Sequence, residues 1–101
     1  MANERKIYSR YVVADSAGVN PGQMDFGKPM GQLFIYNKGP NDCFIKFDGI
    51  ATGARADDQP KLSVGLAINF QNISIKTISV FALAGTGTTS EVDASGSVAV
   101  P

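Results

Sequence analysis

The chain has 101 residues, of which 44% are hydrophobic and 18% charged, and nine basic residues balance nine acidic ones. This composition is typical of one globular domain, and a net charge of zero gives no long-range field to attract nucleic acid or an anionic membrane. The chain has no His and a single Cys, so the commonest catalytic base is missing and no internal disulfide can form. We therefore expect no nucleic-acid or membrane partner, no cofactor, no metal and no catalytic residue.

The first third of the chain predicts a strand followed by a long loop. Residues 6–14 alternate in the way that strands do, and residues 15–31 are interrupted repeatedly by Gly and Pro. Loops of this length in small domains are usually functional or wrap a neighbour. We expect residues 1–31 to form an N-terminal strand or arm and a long loop, within the same unit as a β-sandwich core over residues 32–101.

The middle of the chain predicts a β-hairpin. Strand-like residues 32–38 and 43–48 flank the turn-rich sequence Gly39-Pro40-Asn41-Asp42. Cys43 lies within the second of these strands, with no His to activate it, so we expect a buried structural thiol. Residues 49–60 predict an exposed loop.

The second half predicts further strands separated by turns. In the longest apolar run, the hydrophobic positions change parity, which predicts a β-bulge near Lys76-Thr77. The predicted strands cover residues 61–64, 66–71, 73–84 and 88–94, with a turn at Gly85-Thr86-Gly87, and residues 95–101 form a short edge strand or a tail. Six to eight short strands indicate an all-β fold, a single antiparallel β-sandwich or compact barrel with an extended N-terminal arm and long loops.

Charged residues are sparse in the second half of the chain. Residues 62–101 carry only Lys76, Glu91 and Asp93, among many Ser, Thr and small apolar residues. Depletion of charge is typical of the centre of protein–protein interfaces. A sheet with Ser and Thr on its solvent face has the same composition, and the sequence leaves both interpretations open.

No motif in the chain predicts an active site. Asp57-Asp58 lacks the spacing of a calcium loop, and the Gly-Thr sequence over residues 85–89 is followed by neither a helix nor a Lys, as a phosphate loop requires. The aromatic residues fall mostly at strand positions, where core packing is expected. Tyr36 is expected to be half-exposed at a strand end.

The order of short motifs resembles that of small bacteriophage virion proteins. Ile35-Tyr36-Asn37-Lys38-Gly39 is followed by Asn41-Asp42-Cys43-Phe44-Ile45-Lys46-Phe47, then by Lys61-Leu62-Ser63-Val64-Gly65, an alternating strand over 75–80 and a Gly-Thr turn. The resemblance covers residues 32–93. It implies a non-enzymatic β-sandwich that decorates or cements a capsid at the joints between capsomers.

The same resemblance implies partners and a location. We expect contacts with the major capsid protein or other virion proteins and with further copies of the chain, in a dimer or trimer. The protein would be made in the host cytoplasm without a signal peptide and reside in the virion. An accessory protein of the phage neck, tail or fibre, or a glycan-binding module, is the alternative.

The expected partner contacts lie in three segments. Each of these residues could also be explained by ordinary solvent exposure or loop packing. They are Arg5, Lys6 and Arg10 in the arm, Met24, Phe26 and Met30 in the long loop, and Arg55, Asp57 and Asp58 in the loop over residues 49–60.

Overall fold

A computed structural model describes residues 5–15, 22–53, 56–83 and 89–99 of the chain. The described residues form strands and no helix, so no helix among them could cross a membrane. The strands are β1 (Arg5–Asp15), β2 (Gly22–Gly39), β3 (Cys43–Phe47), β4 (Lys61–Leu62), β5 (Ala67–Ala82) and β6 (Thr89–Ala99).

All strand pairs are antiparallel, in the order β1-β6-β2-β5-β3-β4. The two longest strands change partners along their length. β2 pairs with β6 only from Gln32 onwards, and β5 pairs with β3 only from Ile78 onwards. Between these parts the β2–β5 register shifts on either side of Met30. The sheet therefore bends into two layers, and the chain is an antiparallel β-sandwich, as the sequence predicted.

One hydrophobic core fills the space between the layers. Its side chains come from alternate positions of the long strands, because successive residues of a strand point to opposite faces. The largest fully buried apolar side chains are Met24, Met30, Leu33, Ile35, Ile45, Leu62, Ile78, Val80 and Val92. The Cys43 thiol is fully buried in the same cluster, which confirms the expected structural role.

The segment predicted as a long loop is a strand from Gly22 onwards. Met24 and Phe26 are buried and alternate with the exposed Gln23 and Asp25, which is the pattern of a strand with one solvated face. Gly27 has a φ of 81° and lies, with the following Pro, where the β2–β5 register shifts. The Gly and Pro residues therefore mark a bend inside the strand, since a proline has no N–H to give to a regular ladder.

The predicted hairpin is also wrong. β2 and β3 do not pair with each other, because β3 pairs with β5 on one side and with β4 on the other. The turn residues between them instead carry the chain from one layer to the other. Likewise, residues 95–99 are neither an edge strand nor a tail: they continue β6, which lies between β1 and β2. The predicted turn at Gly85-Thr86-Gly87 lies outside the described residues.

The bulge predicted near Lys76-Thr77 is confirmed. The ladder partners change from Met30↔Ile75 to Asp25↔Thr77 at this point. The two successive N–H groups of Lys76 and Thr77 both donate to Asp48 Oδ1, at 3.0 and 2.9 Å. In a regular strand successive N–H groups point in opposite directions, so this shared acceptor requires a local irregularity.

Replacing Gly22 by Ala should destabilise the fold. A Cβ atom at this position would overlap the Val12 Cγ2 methyl group of β1, and the β-branched Val12 side chain has little freedom to move. We expect the free energy of unfolding to fall by about 1–3 kcal/mol, measured by urea denaturation. The double variant Gly22→Ala/Val12→Ala should recover part of this loss, and a strictly additive result would contradict the proposed overlap.

Candidate interaction surface

Four strands present a common face to solvent. Cross-strand partners place Ile7 beside Ser97 and Gln32, Ser9 beside Ser95 and Phe34, and Tyr11 beside Asp93 and Tyr36. We call this surface the outer face. Its members are Ile7, Ser9, Tyr11 and Val13 of β1, Glu91, Asp93, Ser95 and Ser97 of β6, Gln32, Phe34 and Tyr36 of β2, and Ala67, Asn69 and Gln71 of β5.

The outer face carries large apolar side chains that no other described element covers. Ile7 and Tyr11 are each 69% exposed, Val13 is 57% exposed and Phe34 is 48% exposed. The solvated face of an antiparallel sheet is ordinarily polar, whereas grouped exposed apolar residues mark interaction sites. The outer face therefore has the composition of a contact surface.

Small residues in β6 make a shallow groove across this face. Ser95, Gly96 and Ser97 form its floor, and the larger Ile7 and Phe34 rise on either side. The Ser97 hydroxyl lies 3.3 Å from Gln32 Oε1, so the floor offers hydrogen-bonding groups as well as space. Such a groove can accept an apolar side chain flanked by polar atoms.

One end of the outer face is charged. Lys38 Nζ lies 3.3 Å from Asp93 Oδ2 and 4.0 Å from Glu91 Oε2. The hydrogen bond and charge of Asp93, with a smaller effect of Glu91, raise the pKa of Lys38 above its usual value. Asp93 also lies between Tyr11 and Tyr36 in the cross-strand register, so two aromatic rings flank one carboxylate.

The two edges of the sheet differ greatly in length. β4 is two residues long, while β1 is eleven residues long and pairs only with β6 among the described strands. Proteins usually shorten or block edge strands, because an open strand edge can pair with another chain. β1 is therefore the longer of these two edges, and its outer side is paired with no strand among the described residues.

Three cations, Lys6 and Arg10 of β1 and Lys28 of β2, lie where β1 approaches the first half of β2. We call the region that they define the rim. Lys6 Nζ and Lys28 Nζ lie 5.5 and 5.7 Å from the centre of the Tyr8 ring. The Arg10 guanidinium lies 5.7 Å from the centre of the Phe26 ring and donates to the carbonyl oxygens of Ser9 and Asp25. Desolvation acts to raise the pKa of Tyr8, but Lys28 and Lys6 together lower it.

The motif that carried the resemblance forms a buried polar cluster. Asn37 Nδ2 donates to the carbonyl oxygens of Asn41 (2.8 Å) and Leu62 (3.0 Å), while Asn37 Oδ1 accepts from Gly39 N (2.9 Å) and Ser90 Oγ (2.8 Å). Asn37 itself is fully buried. This cluster fixes the connection between the layers and is not exposed to a partner.

An exposed carboxylate holds the outside of the same connection. Asp42 Oδ1 accepts from Val64 N at 2.9 Å, and Asp42 Oδ2 lies 3.4 Å from Lys61 Nζ. The hydrogen bond from Val64, together with the charge of Lys61, lowers the pKa of Asp42 despite partial desolvation. Burial raises the pKa of the neighbouring Cys43 thiol, which favours its protonated form.

The expected contact residues are distributed over very different environments. Met24, Phe26 and Met30 are at most 2% exposed, so these three side chains pack in the core of the chain and present no surface to a partner. Lys6 and Arg10 lie at the rim. The side chain of Arg5 and the whole of Arg55 lie outside the described residues.

The two aspartates of the loop over residues 49–60 lie in an exposed turn. Asp58 forms an ion pair with Lys46 at 3.4 Å, and Asp57 is exposed beside it. The loop is nevertheless attached to the sheet, because Ala51 N donates to Ser79 Oγ, and the buried Gln59 holds the loop together through hydrogen bonds with Thr52. Most described positions of this segment are exposed, as predicted, while Ala51 and Gln59 are buried.

The apolar members of the outer face are not among the contact residues predicted from the sequence. Ile7, Tyr11, Val13 and Phe34 were attributed to ordinary strand positions, because every second residue of a strand is expected to enter the core. The signal was present in β1, where both parities contain large apolar residues. One set must then face away from the core.

Among the described residues, no group of three or more His, Cys, Asp or Glu could hold a metal ion.

Comparisons with known proteins do not assign the chain to a family. No protein-family model matches the chain, and no curated protein matches it in sequence. The chain is similar to a de novo designed double-stranded β-helix (15% identity, TM-score 0.43, covering 97% of this chain and 100% of the other). It is also similar to a cupin superfamily protein from Desulfitobacterium hafniense (16% identity, TM-score 0.41, covering 95% and 82%). Likenesses at this level support no statement about function.

Replacing Asn37 by Ala should be strongly destabilising. The change leaves the buried carbonyl oxygen of Leu62, the N–H of Gly39 and the Ser90 hydroxyl without their amide partner. We expect a loss of about 2–4 kcal/mol in the free energy of unfolding, measured by urea denaturation. Asn69→Ala, at an exposed position of the outer face, is the matched control and should change stability by less than about 0.5 kcal/mol. Equal effects of the two substitutions would contradict the role of Asn37.

Asp42 should make stability depend on pH in the acid range. Its pKa is lower in the folded chain than in the unfolded chain, so the carboxylate stabilises the fold above about pH 4, the unfolded value. That contribution is lost as the pH falls through the lower folded value. The free energy of unfolding should therefore fall more steeply between about pH 5 and pH 2 in the natural chain than in Asp42→Asn. Identical slopes would show that Asp42 is not involved.

Proposed function

We propose that this chain is a non-enzymatic structural protein of a bacteriophage particle, and specifically a capsid decoration protein that stabilises the joints between capsomers. Two observations support the proposal. The ordered motifs over residues 32–93 resemble small virion proteins. The outer face has four exposed large apolar side chains, two of which, Ile7 and Phe34, flank a serine-lined groove, and this arrangement suits burial against another protein.

The mechanism of such a protein is burial of surface across a joint. When the outer face covers two neighbouring capsomers, separating them also exposes its apolar area to water, at about 25 cal/mol per Å². Repetition of the contact over a symmetric shell multiplies the effect. The zero net charge leaves little repulsion between copies at high local density. Copies acting as a dimer or trimer would bridge several joints at once.

The strongest support for the proposal is the combination of Tyr11 and Phe34 with the serines between them. Tyr11 is the most exposed aromatic residue described, and Phe34 lies across β6 from β1. Aromatic side chains are enriched at the energetically dominant centres of interfaces. These two residues are therefore the first to substitute.

The test is co-sedimentation with expanded capsids of the source phage, assembled without this chain. We expect saturable binding at a fixed copy number per capsomer. The double variant Tyr11→Ser/Phe34→Ser should lose most of this binding while keeping the natural melting temperature, because both side chains are exposed. Ile50→Ser, which removes an apolar side chain that is 55% exposed but outside the outer face, is the control and should bind normally.

The absence of capsid binding would overturn the decoration role. It would favour an accessory protein of the neck, tail or fibre, or a glycan-binding module. One feature favours the glycan alternative, since Tyr11 and Tyr36 flank the Asp93 carboxylate and aromatic rings with a nearby carboxylate can hold a sugar. A glycan array separates the decoration role from the glycan-binding role, because a decoration protein should give no signal there.

A further inference from the structure

The cations of the rim form no ion pair within the part of the chain that the structure describes. Lys6, Arg10 and Lys28 form no ion pair with any carboxylate whose side chain the structure describes, whereas Lys38, Lys46 and Lys61 are each paired. Asp25 is one carboxylate on the same part of β2, and its Oδ1 accepts a hydrogen bond from Gly27 N at 2.8 Å, so three cations stand against one negative charge. The rim therefore has an excess of positive charge in a chain whose net charge is zero.

The same residues lie along the open strand edge. Lys6, Tyr8 and Arg10 share one side of β1, and Ile7, Tyr11 and Val13 share the other. An extended segment that pairs with β1 would have alternate side chains next to these two sets, because the side chains of paired residues point to the same face of a sheet. One set of its residues would meet cations, and the other would meet exposed apolar groups.

We propose that β1 and the rim bind an extended acidic segment of another protein as an added strand, with acidic side chains toward Lys6, Arg10 and Lys28 and apolar side chains toward Ile7, Tyr11 and Val13. This mode of binding combines backbone hydrogen bonds along an open edge with specificity from alternate side chains. The inference rests on the proposed contact role of the outer face and adds the chemistry of the partner.

Charge argues against a second copy of this chain as the added strand. If two copies paired antiparallel through β1, even-numbered residues of one copy would stand opposite even-numbered residues of the other. When the symmetry axis passes through any residue from 7 to 11, Lys6 or Arg10 lies opposite or diagonal to a cation of the second copy. Like charges in these positions are destabilising. An acidic segment reverses the sign of the same contacts.

The test uses two labelled peptides of equal composition. The first is the alternating heptapeptide Glu-Val-Glu-Val-Glu-Val-Glu, and the second is Glu-Glu-Val-Val-Glu-Glu-Val. Binding to the full chain is measured by fluorescence polarisation at physiological ionic strength, which screens non-specific attraction. We expect the alternating peptide to bind at least about tenfold more tightly, because only alternation matches both sides of β1.

Matched charge reversals locate the binding site. Lys28→Glu should weaken binding of the alternating peptide about tenfold, since it places a like charge beside the acidic side chains. Lys76→Glu makes the same change in net charge at an exposed lysine of β5 that lies outside the rim, and it should change binding less than about twofold. Both variants replace exposed side chains, and their melting temperatures are to be measured to check that both are folded.

The inference is overturned if neither peptide binds, if both bind equally, or if the two charge reversals weaken binding to the same extent. Failure here with successful capsid sedimentation would leave the decoration role intact with a partner of different chemistry. Peptide binding without capsid sedimentation would leave the acidic-strand site intact and remove the decoration role.

Discussion

The fold depends on a single buried amide. Asn37 belongs to β2, yet its side chain is bonded to the β2–β3 connection, to the end of β4 and to the beginning of β6. A buried polar group that lacked any of these partners would cost more than it contributes. The arrangement therefore specifies one path for the chain between the two layers. Within the Asn-x-Gly-x-Asn-Asp sequence, Asn37, Gly39 and Asn41 therefore serve this connection, whereas Lys38 lies at the charged end of the outer face.

Much of the fold could be predicted because alternation is a local property. The all-β class, the strand over residues 5–15, the buried Cys43 and the bulge at Lys76-Thr77 follow from periods of two and from their interruption. Strand partners are not local. The Gly39–Asp42 sequence is equally compatible with a hairpin and with a connection between layers, and only the long-range bonds of Asn37 distinguish the two. The bend at Gly27 could not be distinguished from a loop for the same reason.

The candidate interaction surface was harder to predict than the fold. Met24, Phe26 and Met30 are predicted as contacts because apolar residues between Gly and Pro suggest an exposed loop, but all three are buried. The net positive start of the chain predicts contacts for Lys6 and Arg10, and their contact role stays a prediction. The outer face consists of strand residues whose direction depends on where the second layer lies. No period within β1 determines which of its two apolar sets enters the core.

The position of β1 has a consequence for how the molecule folds. Its ladder pairs Arg5 with Ala99 and Asp15 with Thr89, so the strand that bears both the outer face and the rim is joined to the last strand of the chain. Contacts between residues so distant in sequence carry a large loop-closure cost and form slowly. The outer face contains residues of both β1 and β6, so it is assembled only once these two distant segments have paired.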